Sequence, residues 1–354
     1  MDTKGILDIL QKSVDLDAAD VFLVAGIPVT YKCNGHQRRI GDILLPDTIR
    51  ELVDEIYEVS HRDRANLVQG IDDDFSFAVS HLGRFRVNVF RQRGSMSAVI
   101  RVIHFGLPDP ATMGIPDSVL SLADTKKGLV LITGAAGTGK STTLACILDR
   151  INRNRDCHII TMEDPIEFIH RHDKAIVTQR EISIDTPGYL EALRSALRES
   201  PDVILLGEMR DYDTISAAIT AAETGVLLFS TLHTSSVSNT INRILDVYPS
   251  NQQQQVKIQL AQILKGVVCQ QLVPTIDGGQ TAVFEIMKTN MAIQNMIRED
   301  KLHQLESAMQ AGAQEGMCTM DGSLLKLYRA GKIARDTALV SCVHYDNMVK
   351  KLDL

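Results

Sequence analysis

The chain has 354 residues, of which 44% are hydrophobic and 23% charged, and its formal net charge is −7. This composition is typical of a globular protein of two or three domains, and the acidic balance argues against broad electrostatic binding of DNA or anionic lipid. Six cysteines lie far apart without a C-x-x-C pair, which argues against a disulfide or zinc framework and favours reduced thiols in the cytosol.

Residues 1–104 are predicted to form an α+β domain. The predicted elements are a helix over 5–16, short strands near 20–26 and 29–35, a second helix over 47–60, and two strands within 75–94 and 95–103. Around Phe85 apolar and polar residues alternate, which places Arg86 on a polar, basic face of a half-buried sheet.

Residues 105–117 are predicted to be a linker, because they hold three prolines and two glycines between two patterned regions. From 118 to 354, apolar strands alternate with helical patterns, which indicates a parallel sheet buried on both faces and an α/β fold. A hairpin is expected around residues 277–279, and helices from about residue 291 onward.

A glycine-rich segment between the first of these strands and its helix has the pattern G-x-x-x-x-G-K-[ST]. Residues without side chains let successive backbone N–H groups converge on phosphate oxygens, while the lysine adds a positive charge and the serine hydroxyl can bind Mg²⁺. A plain glycine turn does not need the lysine. The segment therefore predicts a nucleotide-phosphate site made of Gly134, Gly137, Thr138, Gly139, Lys140, Ser141 and Thr142.

Two further apolar strands end in acidic residues. Glu208 follows one of them, and Glu163 and Asp164 follow another. Ligands bind at the carboxyl ends of such strands, so we expect these carboxylates beside the phosphate loop. Glu208 is predicted to be the general base and, with Ser141, a ligand of Mg²⁺, partly through water. Asp164 precedes Pro165 and also fits a simple turn residue.

Four ordered segments resemble those of one family, the hexameric ATPases of the secretion superfamily that power type IV pili and type II secretion. The pilus-retraction (PilT-type) branch is the most similar. The resembling segments are "GAAGTGKSTT", "TMEDPIEF", "QREISIDTPGYLEALRSALRESPDVILLGEMRD" and "AAETGVLLFSTLHT", and "AIQNMIRED" is similar to a signature of that branch.

The resemblance implies a PAS-like N-terminal domain, a RecA-like P-loop ATPase domain with C-terminal helices, and a ring of six subunits that uses ATP and Mg²⁺. It implies that Glu208 is the base, that Glu163 and His233 surround the γ-phosphate, and that Arg86 and Arg101 close over the nucleotide. It also implies a cytoplasmic motor, peripheral to the inner membrane through its partners. Those partners are a pilus platform protein in that membrane and a paralogous pilus ATPase, and no direct contact with nucleic acid is expected.

The chain also departs from the family. Ala135 and Ala136 replace the usual Pro-Thr of the phosphate loop, Val226 stands where an earlier histidine is usual, and Phe22 replaces a common histidine. Without that first imidazole a nucleotide-gated regulatory subunit with little turnover is an alternative to a motor. Pilus-extension, secretion and DNA-uptake motors share all four segments and are alternatives of the same class.

Some residues allow two interpretations. His233 follows the end of a strand, where it can contact a γ-phosphate or be an ordinary hydrogen-bonded polar residue. Arg194 and Arg198 stand four residues apart and can reach a neighbouring subunit's nucleotide or form a salt-bridged helix face with Glu191. The histidine-containing segment 170–174 is predicted to be a solvated loop rather than a metal site.

Overall fold

The computed structural model describes residues 5–33, 35–64, 72–103 and 106–353. These form two compact units that divide after Gly106. The mixed α/β fold class predicted from the sequence is confirmed. None of the helices in these ranges has the length and apolar character that crossing a bilayer requires.

In its described residues, the first unit has a six-stranded antiparallel sheet and two helices. Its helices are α1 (Ile6–Asp15) and α2 (Pro46–Ser60), and its strands are β1 (Asp20–Leu23), β2 (Pro28–Cys33), β3 (His36–Ile43), β4 (Asp73–Val79), β5 (Gly83–Gln92) and β6 (Ser95–Ile103). The strand order across the sheet is β3-β2-β1-β6-β5-β4. The apolar residues Phe85, Val87 and Val89 of β5 are fully buried, whereas Arg84 and Arg86 on the other face are partly exposed, as the alternation predicts.

Two details of this unit differ from the sequence prediction. Residues 75–94 are not one strand, because the chain turns at His81, whose φ of +65° lies in the left-handed region, and β4 and β5 pair as a hairpin. Strand β3 was not predicted, since nearly all of its residues are exposed and it lacks an apolar pattern.

The second unit is a seven-stranded sheet covered on both faces by helices. Its strands are β7 (Gly128–Thr133), β8 (His158–Glu163), β9 (Ile176–Glu181), β10 (Val203–Leu206), β11 (Leu227–Leu232), β12 (Leu264–Pro274) and β13 (Gln280–Lys288). They lie in the order β13-β12-β7-β11-β10-β8-β9, and all neighbours are parallel except the β12–β13 hairpin. Every residue of β7, β10 and β11 is buried, which confirms the predicted sheet.

The helices of the second unit include C-terminal helices from Met291 onward, where the sequence predicts them. The helices of this unit are α3 (Asp117–Leu120), α4 (Lys140–Asn154), α5 (Tyr189–Ala196), α6 (Tyr212–Glu223), α7 (Val237–Asp246), α8 (Ser250–Ile263), α9 (Met291–Arg298), α10 (Leu305–Ala311), α11 (Met320–Arg329), α12 (Arg335–Ser341) and α13 (Tyr345–Leu352). Two apolar clusters separate along β7, where Leu129 and Leu131 face one cluster and Val130 and Ile132 face the other. The sheet is therefore the middle layer of three.

Strands β7, β8, β10 and β11 end at the same edge of this sheet. The register pairs Thr133 with Leu232, and Leu206 with both Ser230 and Met162. The segments that follow these strand ends therefore meet at this edge, which is where open α/β sheets bind ligands.

The buried carboxylate of Glu285 on β13 joins two helix starts. It accepts hydrogen bonds from the backbone N–H of Val237 at 2.7 Å and of Met320 at 3.3 Å, the first residues of α7 and α11. A negative charge is favourable at a helix N-terminus, although burial raises the pKa of Glu285.

Candidate active site

The phosphate loop connects β7 to α4 and depends on glycine at its ends. Gly134 and Gly139 have φ angles of +145° and +85°, and a Cβ atom on Gly134 would lie 2.3 Å from the carbonyl oxygen of Gln270. Only glycine combines this backbone conformation with so close an approach. The Thr138 hydroxyl donates to Ala135 O at 2.9 Å and closes the turn.

Lys140 is held inside this loop. Its Nζ donates to the carbonyl oxygens of Gly134 at 2.9 Å and Ala135 at 2.8 Å, and only 9% of the residue is exposed. Burial lowers the pKa of Lys140, while the carboxylates of Glu167 and Glu208 act in the opposite direction. A desolvated ammonium group beside the start of a helix is a strong anion site.

The loop opens into a cavity of about 420 Å³. Eight of the predicted site residues line it, namely Gly137, Gly139, Lys140, Ser141, Thr142, Glu163, Glu208 and His233, and Asp164, which also fits a turn residue, lines it as well. The predicted residues Gly134 and Thr138 belong to the same loop and shape its backbone. The structure therefore brings the predicted phosphate loop, both acids and the histidine around one space.

Glu208 lies between two positively charged or ionisable groups. Its Oε2 is 2.7 Å from Arg210 Nε and 3.6 Å from His233 Nε2, and 14% of its side chain is exposed. The preceding carbonyl, Gly207 O, accepts from the Thr231 hydroxyl at 2.6 Å, which ties the end of β10 to β11. These contacts hold the Glu208 carboxylate in one orientation.

Glu163 sits at the end of β8 in a hydrogen-bonded group. Its Oε1 accepts from Thr161 Oγ1 at 2.6 Å and from Gln179 Nε2 at 3.3 Å. Gln179 also donates to Phe168 O and accepts from the backbone N–H of His170. Burial raises the pKa of Glu163 to about 7, although both hydrogen bonds lower it. This acid therefore changes charge near neutral pH.

His170 corrects one sequence interpretation. The segment 170–174 was predicted to be a solvated loop, but His170 is 8% exposed and lines the cavity. Its Nδ1 has no hydrogen-bond partner within the described residues, and burial lowers its pKa. The burial of His170 could not be predicted from the sequence, because the residue lies in a polar stretch and is buried by tertiary packing.

The two predicted arginines stand together in the first unit. Arg86 on β5 is the register partner of Arg101 on β6. Arg86 forms a two-bond pair with Asp74, at 3.0 Å and 2.6 Å, and Arg101 Nε donates to Asp20 Oδ1 at 3.1 Å. Both guanidinium groups therefore have carboxylate counter-ions on the same sheet.

Val226, where the family usually has a histidine, is buried just before β11. Its carbonyl oxygen accepts from the Gly128 N–H at 3.0 Å. The six residues of β11 separate it from His233, a distance of roughly 20 Å along the strand. The substitution thus lies at the opposite end of the strand from the carboxylates and the phosphate loop.

Several site residues were missed by sequence reasoning. Arg210, Tyr189 and Glu167 line the cavity. Arg210 lies within two residues of Glu208, so the segment "GEMRD" offered a signal for it. Gln179 and Gln270 act through side-chain amides on strands; Gln179 opens one of the four resembling segments, whereas no motif marks Gln270.

Comparison with known proteins places the chain in a family. Residues 72–322 match the family model described as type II/IV secretion system protein. The chain is 44% identical over 334 residues to the type IV pilus retraction ATPase PilT of Pseudomonas aeruginosa, covering 94% of this chain and 96% of that protein. It is 40% identical to a twitching motility protein of Neisseria gonorrhoeae, covering 94% and 89%.

A solved structure agrees with this. The crystal structure of the pilus retraction motor PilT with bound ADP has a TM-score of 0.89 and 43% identity to this chain, covering 98% of it and 99% of the solved chain. The agreement extends over both units. The chain therefore belongs to the family of type II/IV secretion system proteins, in the branch of the type IV pilus retraction ATPases.

Proposed function

We propose that the chain is an ATP-hydrolysing motor that powers retraction of type IV pili. The observation that carries the proposal is the convergence of Lys140, Glu208, Glu163 and His233 on one cavity at the carboxyl edge of the sheet. A phosphate loop alone binds nucleotide, whereas the carboxylates and the histidine supply what hydrolysis needs in addition. The names of the relatives support pilus retraction as the work performed.

Binding begins at the loop. The Lys140 ammonium is bonded to two carbonyl oxygens of its own loop, and these bonds are exchanged for phosphate oxygens when the nucleotide arrives. Backbone N–H groups at the start of α4 direct the positive end of the helix dipole toward the same phosphate site. The loop thus supplies positive charge and backbone donors to a polyphosphate.

The donors beside the loop fit magnesium. Mg²⁺ prefers hard oxygen ligands, keeps several waters and needs only one or two protein groups besides phosphate. The Ser141 hydroxyl and the Glu208 carboxylate, partly through water, are the groups that would hold it. When bound, it neutralises charge on the phosphates. In the described ranges, no three His, Cys, Asp or Glu side chains are grouped to hold a metal by themselves, so binding is expected to depend on the nucleotide.

Hydrolysis requires a water molecule oriented toward the terminal phosphate. Glu208 is the base in the proposal, because its carboxylate is oriented by Arg210 and lies near His233. Glu163 and His233 complete the surroundings of the γ-phosphate. Arg86 and Arg101 are proposed to stabilise the negative charge that develops on the γ-phosphate in the transition state. An arginine in this role raises the rate by about 10³–10⁵.

The proposal includes an assembly. We infer a homohexamer whose first units, proposed to be PAS-like domains, close on neighbouring ATPase domains according to whether the γ-phosphate is present. The motor is expected at the cytoplasmic side of the inner membrane, where it acts through a pilus platform protein and together with a paralogous ATPase. The net charge of −7 supports protein partners rather than direct binding of nucleic acid.

Phosphate release by the purified protein tests the activity. Glu208→Gln should lower kcat by about 10²–10³, the range expected for loss of one group that stabilises the transition state. Glu315→Gln, the same change at an exposed residue of the C-terminal part, is the control and should match the wild type. Hydrolysis by Glu208→Gln at the wild-type rate would contradict the assignment. ATP that is bound tightly by the wild type but not turned over would instead indicate the regulatory alternative.

A cellular experiment tests the direction of filament movement. Cells that carry Glu208→Gln in place of the wild-type gene should keep abundant surface pili that no longer retract, and should lose twitching. Cells without pili would identify an extension motor instead. Cells carrying Glu315→Gln serve as the control.

A further inference from the structure

Strand β12 runs directly behind the phosphate loop. A Cβ atom built on Gly134 would lie 2.3 Å from Gln270 O, and one built on Gly139 would lie 3.0 Å from Gln270 Nε2. Both glycines of the G-x-x-x-x-G-K-[ST] pattern, Gly134 and Gly139, therefore lie close to the same strand residue.

The side chain of Gln270 bonds to two parts of the loop and its helix. Its Nε2 donates to the carbonyl oxygen of Thr138 at 2.6 Å, and its Oε1 accepts from the hydroxyl of Thr143 in the first turn of α4 at 2.8 Å. Gln270 is 3% exposed and Thr143 is fully buried. A bond lost here is not readily replaced by water, so each partner would remain unsatisfied.

This contact fixes the direction of one backbone N–H group. In a planar trans peptide the carbonyl and the N–H of the next residue point in opposite directions. Because Thr138 O points at Gln270, the N–H of Gly139 points away from β12, and Gly139 lines the cavity. The orientation of an amide at the phosphate site is thus set from behind the loop.

We propose that Gln270 is a positioning residue that holds the Gly139 amide and the first turn of α4 ready for the phosphates of a nucleotide. It acts through Thr138 and Thr143 rather than by touching the ligand. The inference rests on the proposed nucleotide-binding function and adds to it a strand residue outside all four sequence segments.

Gln270→Glu is the sharpest variant, because it keeps the shape and replaces the amide donor with a carboxylate oxygen that repels Thr138 O. Binding of a fluorescent Mg-ADP analogue at about pH 8 should weaken about 10- to 100-fold relative to wild type, the range for one hydrogen bond to a charged group. Burial favours the protonated form of the introduced glutamate, and this form can again donate a hydrogen bond to Thr138 O. The ratio of the dissociation constant of Gln270→Glu to that of wild type should therefore be smaller at about pH 6 than at about pH 8. In turnover, KM should rise more than kcat falls.

Gln271→Glu is the matched control. It makes the same charge change one residue along, on the opposite face of β12, and its side chain is only partly buried. The ratio of its Mg-ADP dissociation constant to that of wild type should stay close to one at both pH values. Lys140, Glu163 and Glu208 line the same cavity in every variant, so comparison with wild type isolates the effect of residue 270.

A second measurement does not depend on nucleotide. Hydrogen exchange in peptides that cover residues 134–144 should be faster in Thr143→Val than in wild type, because α4 loses its bond to Gln270. Peptides that cover β8 and β9 of the second unit should exchange equally in both proteins and report that this unit is folded.

The outcomes separate the two proposals. Wild type that binds Mg-ADP, together with unchanged binding by Gln270→Glu, would overturn the positioning role alone. Equal weakening by Gln271→Glu, or a ratio that does not change with pH, would also overturn it. Wild type that binds no Mg-ADP would overturn the proposed function, and the inference with it.

Discussion

Arg210 Nε lies 2.7 Å from Glu208 Oε2, so the carboxylate predicted to be the base is held by a guanidinium two residues later in the chain. Three-quarters of the Arg210 side chain is exposed, and a pair this open contributes under about 1 kcal/mol to stability. The contact orients the carboxylate rather than stabilising the fold.

Arg210→Ala should therefore lower kcat with little change in KM or in the melting temperature. We expect a decrease of about tenfold, the lower end of what a misplaced catalytic group costs. Steady-state phosphate release measures it, with the exposed Arg329→Ala as control. An unchanged kcat would show that Glu208 is oriented without this partner.

Lys140→Ala should abolish productive nucleotide binding. The variant loses the only charge in the loop and two bonds to the loop carbonyls, so Mg-ADP affinity should fall by at least about 100-fold. Ligand that binds only the folded state raises the melting temperature. The rise that Mg-ADP gives in wild type should be absent in Lys140→Ala, whereas Lys332→Ala should retain it.

Glu163 should make stability depend on pH. Its pKa is raised from its ordinary value of 4.5 to about 7, so the fold favours the neutral carboxyl. The stability contributed by this group is fully present below about pH 4.5 and is lost as pH rises through 7. Glu163→Gln mimics the neutral form, and it should gain stability relative to wild type between about pH 5 and pH 8.

Urea unfolding at several pH values measures this difference. A Glu191→Gln variant, changed at an exposed residue, should show no such trend. A constant difference between wild type and Glu163→Gln across the range would mean that the carboxylate is as well solvated folded as unfolded.

The ion pairs of Arg86 and Arg101 lead to a prediction about rate. If these arginines meet transition-state charge, Arg86→Ala and Arg101→Ala should each lower kcat by about 10³ or more. Arg38→Ala, at an exposed position of β3 in the same unit, should leave it unchanged. Equal and small effects on kcat at all three positions would show that Arg86 and Arg101 are surface residues without a role in hydrolysis.

Val226→His tests whether the missing histidine limits turnover. The position lies at the opposite end of β11 from His233, so kcat per subunit should stay within about twofold of wild type. A much larger rate in the variant would show that the first imidazole contributes to hydrolysis, and would favour a regulatory role for the natural chain.

The phosphate loop and the strand-end residues could be predicted because each is a local pattern. An apolar strand followed by Gly134 to Ser141, or by Glu208, specifies its own geometry, and parallel topology then brings the strand ends together. The same logic found most helices, whose apolar periodicity is local.

What could not be predicted depends on contacts between distant segments. Strand β9 carries the polar sequence "TQRE" and, among the described strands, pairs only with β8, so it has no apolar run to mark it. His170 is buried by residues that its own sequence neighbourhood does not reveal. Gln270 lies more than 120 residues after the loop it contacts, and only the adjacency of β7 and β12 makes the contact visible.

The shared acceptor at Glu285 has a mechanical consequence. One carboxylate cannot follow two helix starts that travel apart, so a shift of α7, which begins three residues after Thr234, stretches a bond unless α11 shifts with it. The loop that carries His233 is therefore coupled mechanically to the C-terminal helices. A displacement of one is expected to displace the other.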